Sequence, residues 1–192
     1  MAGTINKIRQ FYLSKSVIIR FILINVGVFL IVSFAALLAN LLGVPYNLLP
    51  MLELPSSFGE AILHPWTFAT YMFTHYQLLH ILFNMLWLYW FGALFLYFFS
   101  GKHLRGLYIV GGICGGLLYM ISYNVFPYFR PMPAYSTMVG ASASVLAIVV
   151  ATAYREPNYP VRLLFFGNVR LKYLALIVVL TDLLFITSSN AG

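Results

Sequence analysis

Five apolar runs dominate this chain, each close to the ~20 residues that cross a bilayer's hydrocarbon core as a helix. They cover about Val17–Gly43, Leu78–Ser100, Leu107–Phe126, Met138–Tyr154 and Leu171–Thr187. In lipid every backbone N–H and C=O needs an internal partner, and a helix satisfies them within its own segment. Composition agrees, with 62% hydrophobic and 8% charged residues against roughly 25% charged in a typical soluble domain. The reading is an all-α integral membrane protein, a single membrane domain over residues 1–192. No soluble domain, internal repeat or low-complexity tail is visible. The first run is too long for a cleaved signal peptide and lacks a small-residue cleavage site.

Charge then orients the spans. Lys7, Arg9, Lys15 and Arg20 precede or open run one; Lys102 and Arg105 separate runs two and three; Arg155, Arg162, Arg170 and Lys172 separate runs four and five. The opposite side holds Arg130 alone, with Glu53 and Glu60. Ten basic residues against one predict a cytoplasmic N-terminus and an outer C-terminus. This clustering between apolar runs is also why the net charge of +7 does not indicate a nucleic-acid partner. A single cysteine, Cys114, excludes an internal disulfide framework and a cysteine-rich metal site.

The segment between runs one and two, residues 44–77, is neither a tight loop nor a span. It carries Pro45, Pro50, Pro55 and Pro65 among aromatics such as Trp66, Tyr71 and Phe73, and is expected to lie in the membrane interface. It leads into "HPWTFATYMFTHYQLLHILFNMLWLYW" (residues 64–90), which has no charged residue yet holds three of the chain's four histidines. His80 and Asn84 are four apart, on one face of a helix entering from the outer side. Run four enters from that side too, opening with "YSTMVGASASV" (135–145), so Ser142 and Ser144 sit at a comparable depth. Polar groups at such depth are costly and face a bundle interior or a wet cavity.

Each piece alone also reads as packing. Gly140, Ser144, Ala147 and Ala151 form a small-residue stripe, and Gly111, Gly112, Gly115 and Gly116 form overlapping small-xxx-small pairs. Asp182, inside run five, reads as a paired structural acid or a water-lined gate, the structural role being favoured.

Together, His75-x4-His80-x3-Asn84 at the start of one helix and Gly140-Ala141-Ser142 at the start of a short one resemble the rhomboid family of intramembrane serine proteases. The resemblance covers about residues 17–192, including the aromatic segment with Trp66. It implies a rhomboid-like helical bundle with five of six transmembrane helices present, and serine-type endopeptidase activity on single-span transmembrane substrates. It further implies Ser142 as nucleophile, His80 and Asn84 as the oxyanion site, and His75 and Gly140 in support. The location implied is a multi-pass protein of a bacterial inner membrane. Such chemistry suits these residue types. A serine hydroxyl needs a base, a tetrahedral intermediate needs preorganised donors, and peptide hydrolysis needs water at the helix entrance.

Two departures from the family pattern stand out. The usual Gly-x-Ser-Gly is Gly140-Ala141-Ser142-Ala143 here, one extra methyl that is expected to be tolerated. The family's base is a histidine on a sixth span, in an Ala-His context, whereas these residues end at "SSNAG". An incomplete copy of a six-span protein, inactive by itself, is therefore expected. The alternative is a catalytically inactive rhomboid-like protein that binds transmembrane helices. A haem or transport protein ranks a distant third, for want of paired axial histidines or further buried charges. No cofactor and no metal are expected, because His75 and His80, five apart, do not share a helical face and no carboxylate or cysteine completes a ligand set.

Overall fold

Ser16 opens the first helix, its side chain accepting a hydrogen bond from the Ile19 N–H at 3.4 Å. Gly43, in the left-handed conformation at φ 64°, closes it. Between them α1 (Val17–Leu42) extends for 26 residues, about 39 Å at 1.5 Å per residue. The computed structural model describes residues 16–45, 48–129, 136–163 and 167–188, without the side chains of residues 163 and 182–188. Lys7, Arg9, Lys15 and Arg130, which entered the charge argument, lie outside them, as does the side chain of Asp182.

After α1 the chain makes a 3-10 turn at Leu49–Met51, a short strand β1 (Leu54–Pro55), and helices α2 (Phe58–Leu63) and α3 (Thr67–Thr70). A second 3-10 turn at Tyr71–Phe73 leads into α4 (Leu78–Phe98), followed by α5 (Gly101–Val125). Strand β2 (Thr137–Met138) precedes α6 (Ser142–Arg155); a hairpin of β3 (Pro160–Leu163) and β4 (Gly167–Arg170) leads to α7 (Leu171–Ser188). Among the described residues three helices, α1, α4 and α5, are long and apolar enough to cross a membrane. The result is a multi-pass helical membrane bundle.

Two of the expected boundaries move. The third run begins at Gly101 rather than Leu107, so Lys102 and Arg105 belong to the helix itself. Long basic side chains near a helix end carry their charge outward along the helix surface and need not terminate it. The fourth helix begins at Ser142 rather than Met138. Thr137 and Met138 instead pair antiparallel with Pro55 and Leu54, and Gly140 adopts φ 107°, outside any helix. The remaining 14 residues of α6 span about 21 Å, less than the ~30 Å of a hydrocarbon core. A helix this short is accommodated because α4, α5 and α7 pack around it, burying Ser144, Val145, Ile148, Val149, Thr152 and Ala153.

The α5–α6 contact explains the glycines of α5. A methyl group on Gly111 would collide with the Cβ of Ala147, and one on Gly115 with the Cβ of Ala143. On the same helix Gly112 faces Met72 and the Ser144 hydroxyl, and Gly116 faces Leu54. The stripe on α6 therefore includes Ala143, the residue that replaces the family's glycine, and Gly115 supplies the space for it. Gly115→Ala is expected to lower stability by about 1–3 kcal/mol through overpacking. Ala143→Gly in the same chain should recover most of it, read as the midpoint of thermal unfolding in detergent.

The last turn of the segment between α1 and α4 packs into the bundle. Tyr71, Met72, Thr74 and His75 are all buried. The Tyr71 hydroxyl donates to the Gly112 carbonyl of α5. Tyr108 of α5 donates to the Met72 carbonyl (3.0 Å) and accepts from Asn25 of α1 (3.1 Å). Aromatic stacking of Phe21 on Tyr108, ring centroids 4.2 Å apart, adds to the same seam. Hydrogen bonding here replaces hydrophobic association, which has no driving force between helices in lipid.

Candidate active site

The site assembles where three separately coded segments meet: the Tyr71–His75 turn, the first turns of α4, and the entry to α6. Gly140 is the point of contact. Its N–H donates to the Tyr71 carbonyl at 2.9 Å. Its φ of 107° is a conformation that L side chains avoid, and a Cβ there would lie 2.8 Å from both Cε1 and Nε2 of His80. The backbone just before Ser142 is thus pressed against the His80 imidazole, with no room for a side chain between them.

His75 fixes the next residue. Its Nε2 accepts the Ala141 N–H at 3.3 Å, so Nδ1 carries the ring proton and faces the Phe73 carbonyl without the geometry of a full hydrogen bond. The helical-face argument that separated His75 from His80 does not hold in three dimensions. His75 lies in the turn ahead of α4, and the two rings stand 5.0 Å apart between centroids, at 67°. A metal would need more donors, and among the described residues no group of three His, Cys, Asp or Glu forms.

Burial, and then the neighbouring His80, push the His75 imidazole down from 6.5 to about 4. The proton is therefore taken up more readily by the unfolded chain. Stability is complete above pH ~6.5 and declines as pH falls from there towards the folded-state value, by up to about 3 kcal/mol. His75→Gln retains an acceptor for the Ala141 N–H and cannot titrate. In thermal unfolding that variant is expected to lose stability less steeply than the parent between pH 6.5 and 4.

Asn84 is buried one turn along α4, its Nδ2 donating to the His80 carbonyl at 3.0 Å. One amide N–H remains for another acceptor. Ser142 is the first residue of α6 and half-buried, and among the described residues no side chain hydrogen-bonds its hydroxyl. The first N–H groups of a helix have no intrahelical acceptor, and Ser142 and Ala143 open α6. Ser144, at the same depth, turns away and is buried against Met72 and Gly112.

The other histidines are occupied elsewhere. His64 contacts the Glu60 carbonyl (3.1 Å) and stands edge-on to Trp66, and His103 pairs with Ser100 (3.0 Å). Tyr71 and Ala141 carry contacts that no motif advertises. Tyr71 joins α5 through its hydroxyl and Gly140 through its carbonyl; the signal in the sequence is only an apolar patch ahead of His75.

Residues 63–192 match the family model described as Rhomboid domain. This stretch contains all five candidate residues, His75, His80, Asn84, Gly140 and Ser142, and leaves α1 ahead of it. A relative, RHOMBOID-like protein 12, mitochondrial, of Arabidopsis thaliana, is 29% identical over 144 residues, which cover 71% of this chain and 42% of the relative. The match thus spans less than half of that relative's length. No solved structure matches.

Proposed function

The chain belongs to the rhomboid family, and from that membership and the site geometry we propose that it is an intramembrane serine endopeptidase with Ser142 as the nucleophile. The observation that carries this reading is the approach of the Gly140 backbone to the His80 ring. It joins the start of α6 to the polar face of α4, two residues before the serine.

In this reading the Ser142 oxygen attacks a substrate carbonyl, and the charge that develops on the carbonyl oxygen meets donors already in position. They are the His80 ring N–H, the free N–H of the Asn84 amide and the first N–H groups of α6. His75 acts one step back, holding Ala141 so that α6 starts at the correct height. By resemblance to the family the general base is a histidine presented by a further helix; His64, His75, His80 and His103 are held in other placements. The substrates are single-span membrane proteins whose helix unwinds near a small residue. The basic ends of the helices face the cytoplasm or its equivalent, so the site opens on the opposite surface.

A non-catalytic rhomboid-like helix binder is the alternative reading. Turnover separates the two readings. In proteoliposomes, with a histidine-bearing helix supplied, Asn84→Ala is expected to lower kcat at least about tenfold with KM nearly unchanged. An unchanged kcat removes Asn84 from the oxyanion site, and absence of any cleavage under these conditions favours the binder.

A further inference from the structure

At the end of the bundle away from Ser142, the chain between α6 and α7 folds into a two-faced hairpin. Its register pairs Val161 with Val169 and Leu163 with Gly167, while Pro160 pairs with Arg170 and Arg162 with Asn168. Directly opposed residues of an antiparallel pair share a face, and successive residues alternate. One face is therefore apolar, and Val161 packs against the core. The other presents Pro160, Arg162, Asn168 and Arg170, all exposed.

The hairpin is held in place. Leu171 N–H donates to the Tyr159 carbonyl (2.9 Å) and Lys172 N–H to the Pro157 carbonyl (3.0 Å). The Tyr159 ring stands 5.4 Å from that of Phe98, at the end of α4. Exposed tyrosines surround this level: Tyr97 ends α4, Tyr154 (90% exposed) ends α6 and Tyr173 opens α7. Such rings mark the depth of lipid headgroups. From Arg155 to Lys172 the chain has four basic residues and one acid, Glu156. That acid pairs with its neighbour Arg155 at 3.3 Å, and among the described residues no carboxylate forms an ion pair with Arg162, Arg170 or Lys172.

We propose that this outward face, Arg162 and Arg170 with Lys172 beside them, is a docking surface for the headgroups of anionic phospholipids. Planar guanidinium groups suit phosphate oxygens. Two of them sit on one rigid face, and the apolar face is already turned to the protein. The surface lies at headgroup depth beside spanning helices, where a lipid phosphate is the most concentrated anion.

The test uses the 192-residue chain extracted from nanodiscs holding equal amounts of phosphatidylglycerol and phosphatidylcholine, with retained lipids counted by native mass spectrometry. The expected result is enrichment of phosphatidylglycerol, falling about 25-fold in Arg162→Gln/Arg170→Gln, since each basic residue near an anionic surface is worth about a fivefold preference. Arg162→Lys/Arg170→Lys keeps the charge and should keep most of the enrichment. Undiminished enrichment in the glutamine variant, or equal loss in the lysine variant, overturns the proposal. So does competition by free glycerol 3-phosphate as effective as that by the lipid, which would assign the face to a soluble anion. An acidic peptide that binds the detergent-solubilised chain and is not displaced by phosphatidylglycerol would reassign it to a protein partner.

Discussion

Ser142→Ala is expected to abolish cleavage of a single-span substrate by a protein that carries residues 1–192 together with a helix presenting an Ala-His step. Without that helix, the same chain is expected to cleave about 10²–10⁴-fold more slowly, the usual contribution of a positioned general base. The reason lies in where the four histidines are. His64 and His103 are engaged in local contacts with Glu60 and Ser100. His75 spends its lone pair on the Ala141 N–H. His80 lies against Gly140, where the proposed role is to donate to an oxyanion. An unassisted hydroxyl is a poor nucleophile. Cleavage by residues 1–192 alone that Ser142→Ala removes would make His80 the base. Cleavage that Ser142→Ala leaves unchanged would remove the serine from the chemistry.

Gly140→Ala is expected to cost both fold and activity. The φ of 107° penalises any L side chain by roughly 1–2 kcal/mol or more. The new methyl, 2.8 Å from the His80 ring atoms, forces either the ring or the α6 entry to move. A displacement of about 1 Å at a reacting centre costs on the order of 10² in rate. The two contributions separate experimentally. Gly140→Ala combined with His80→Ala should recover the part of the stability loss due to collision and keep the part due to backbone strain. A Gly140→Ala protein with unchanged thermal midpoint and turnover would mean that the α4–α6 approach does not define the site.

The replacement of the family's glycine by Ala143 illustrates how context resolves a sequence departure. Read along the chain, it is a methyl group in a tight helix. In the bundle its Cβ occupies the space that Gly115 leaves open. Gly115 lies on another helix, so the two positions are meaningful only as a pair. The same holds for His75 and His80. A helical wheel separates them, but His75 never enters the helix, and the turn that precedes α4 brings the rings together.

The sequence alone determined the membrane class, the rhomboid family and the approximate course of the three long apolar helices α1, α4 and α5. These follow from local physics: apolar runs of span length, the cost of unpaired backbone in lipid, and residue types read in chain order. It left undetermined where α6 begins, because that depends on Leu54–Pro55 pairing with Thr137–Met138 across more than eighty residues of chain. It also left undetermined that the Tyr71–His75 turn is buried, because its partners are Gly112, Tyr108 and Gly140 on other elements. Hydrophobic periodicity reports which residues avoid water. Hydrogen bonds between distant segments decide how the Gly140–Ala141 entry to α6 lies against Tyr71, His75 and His80, and those bonds exist only in the folded bundle.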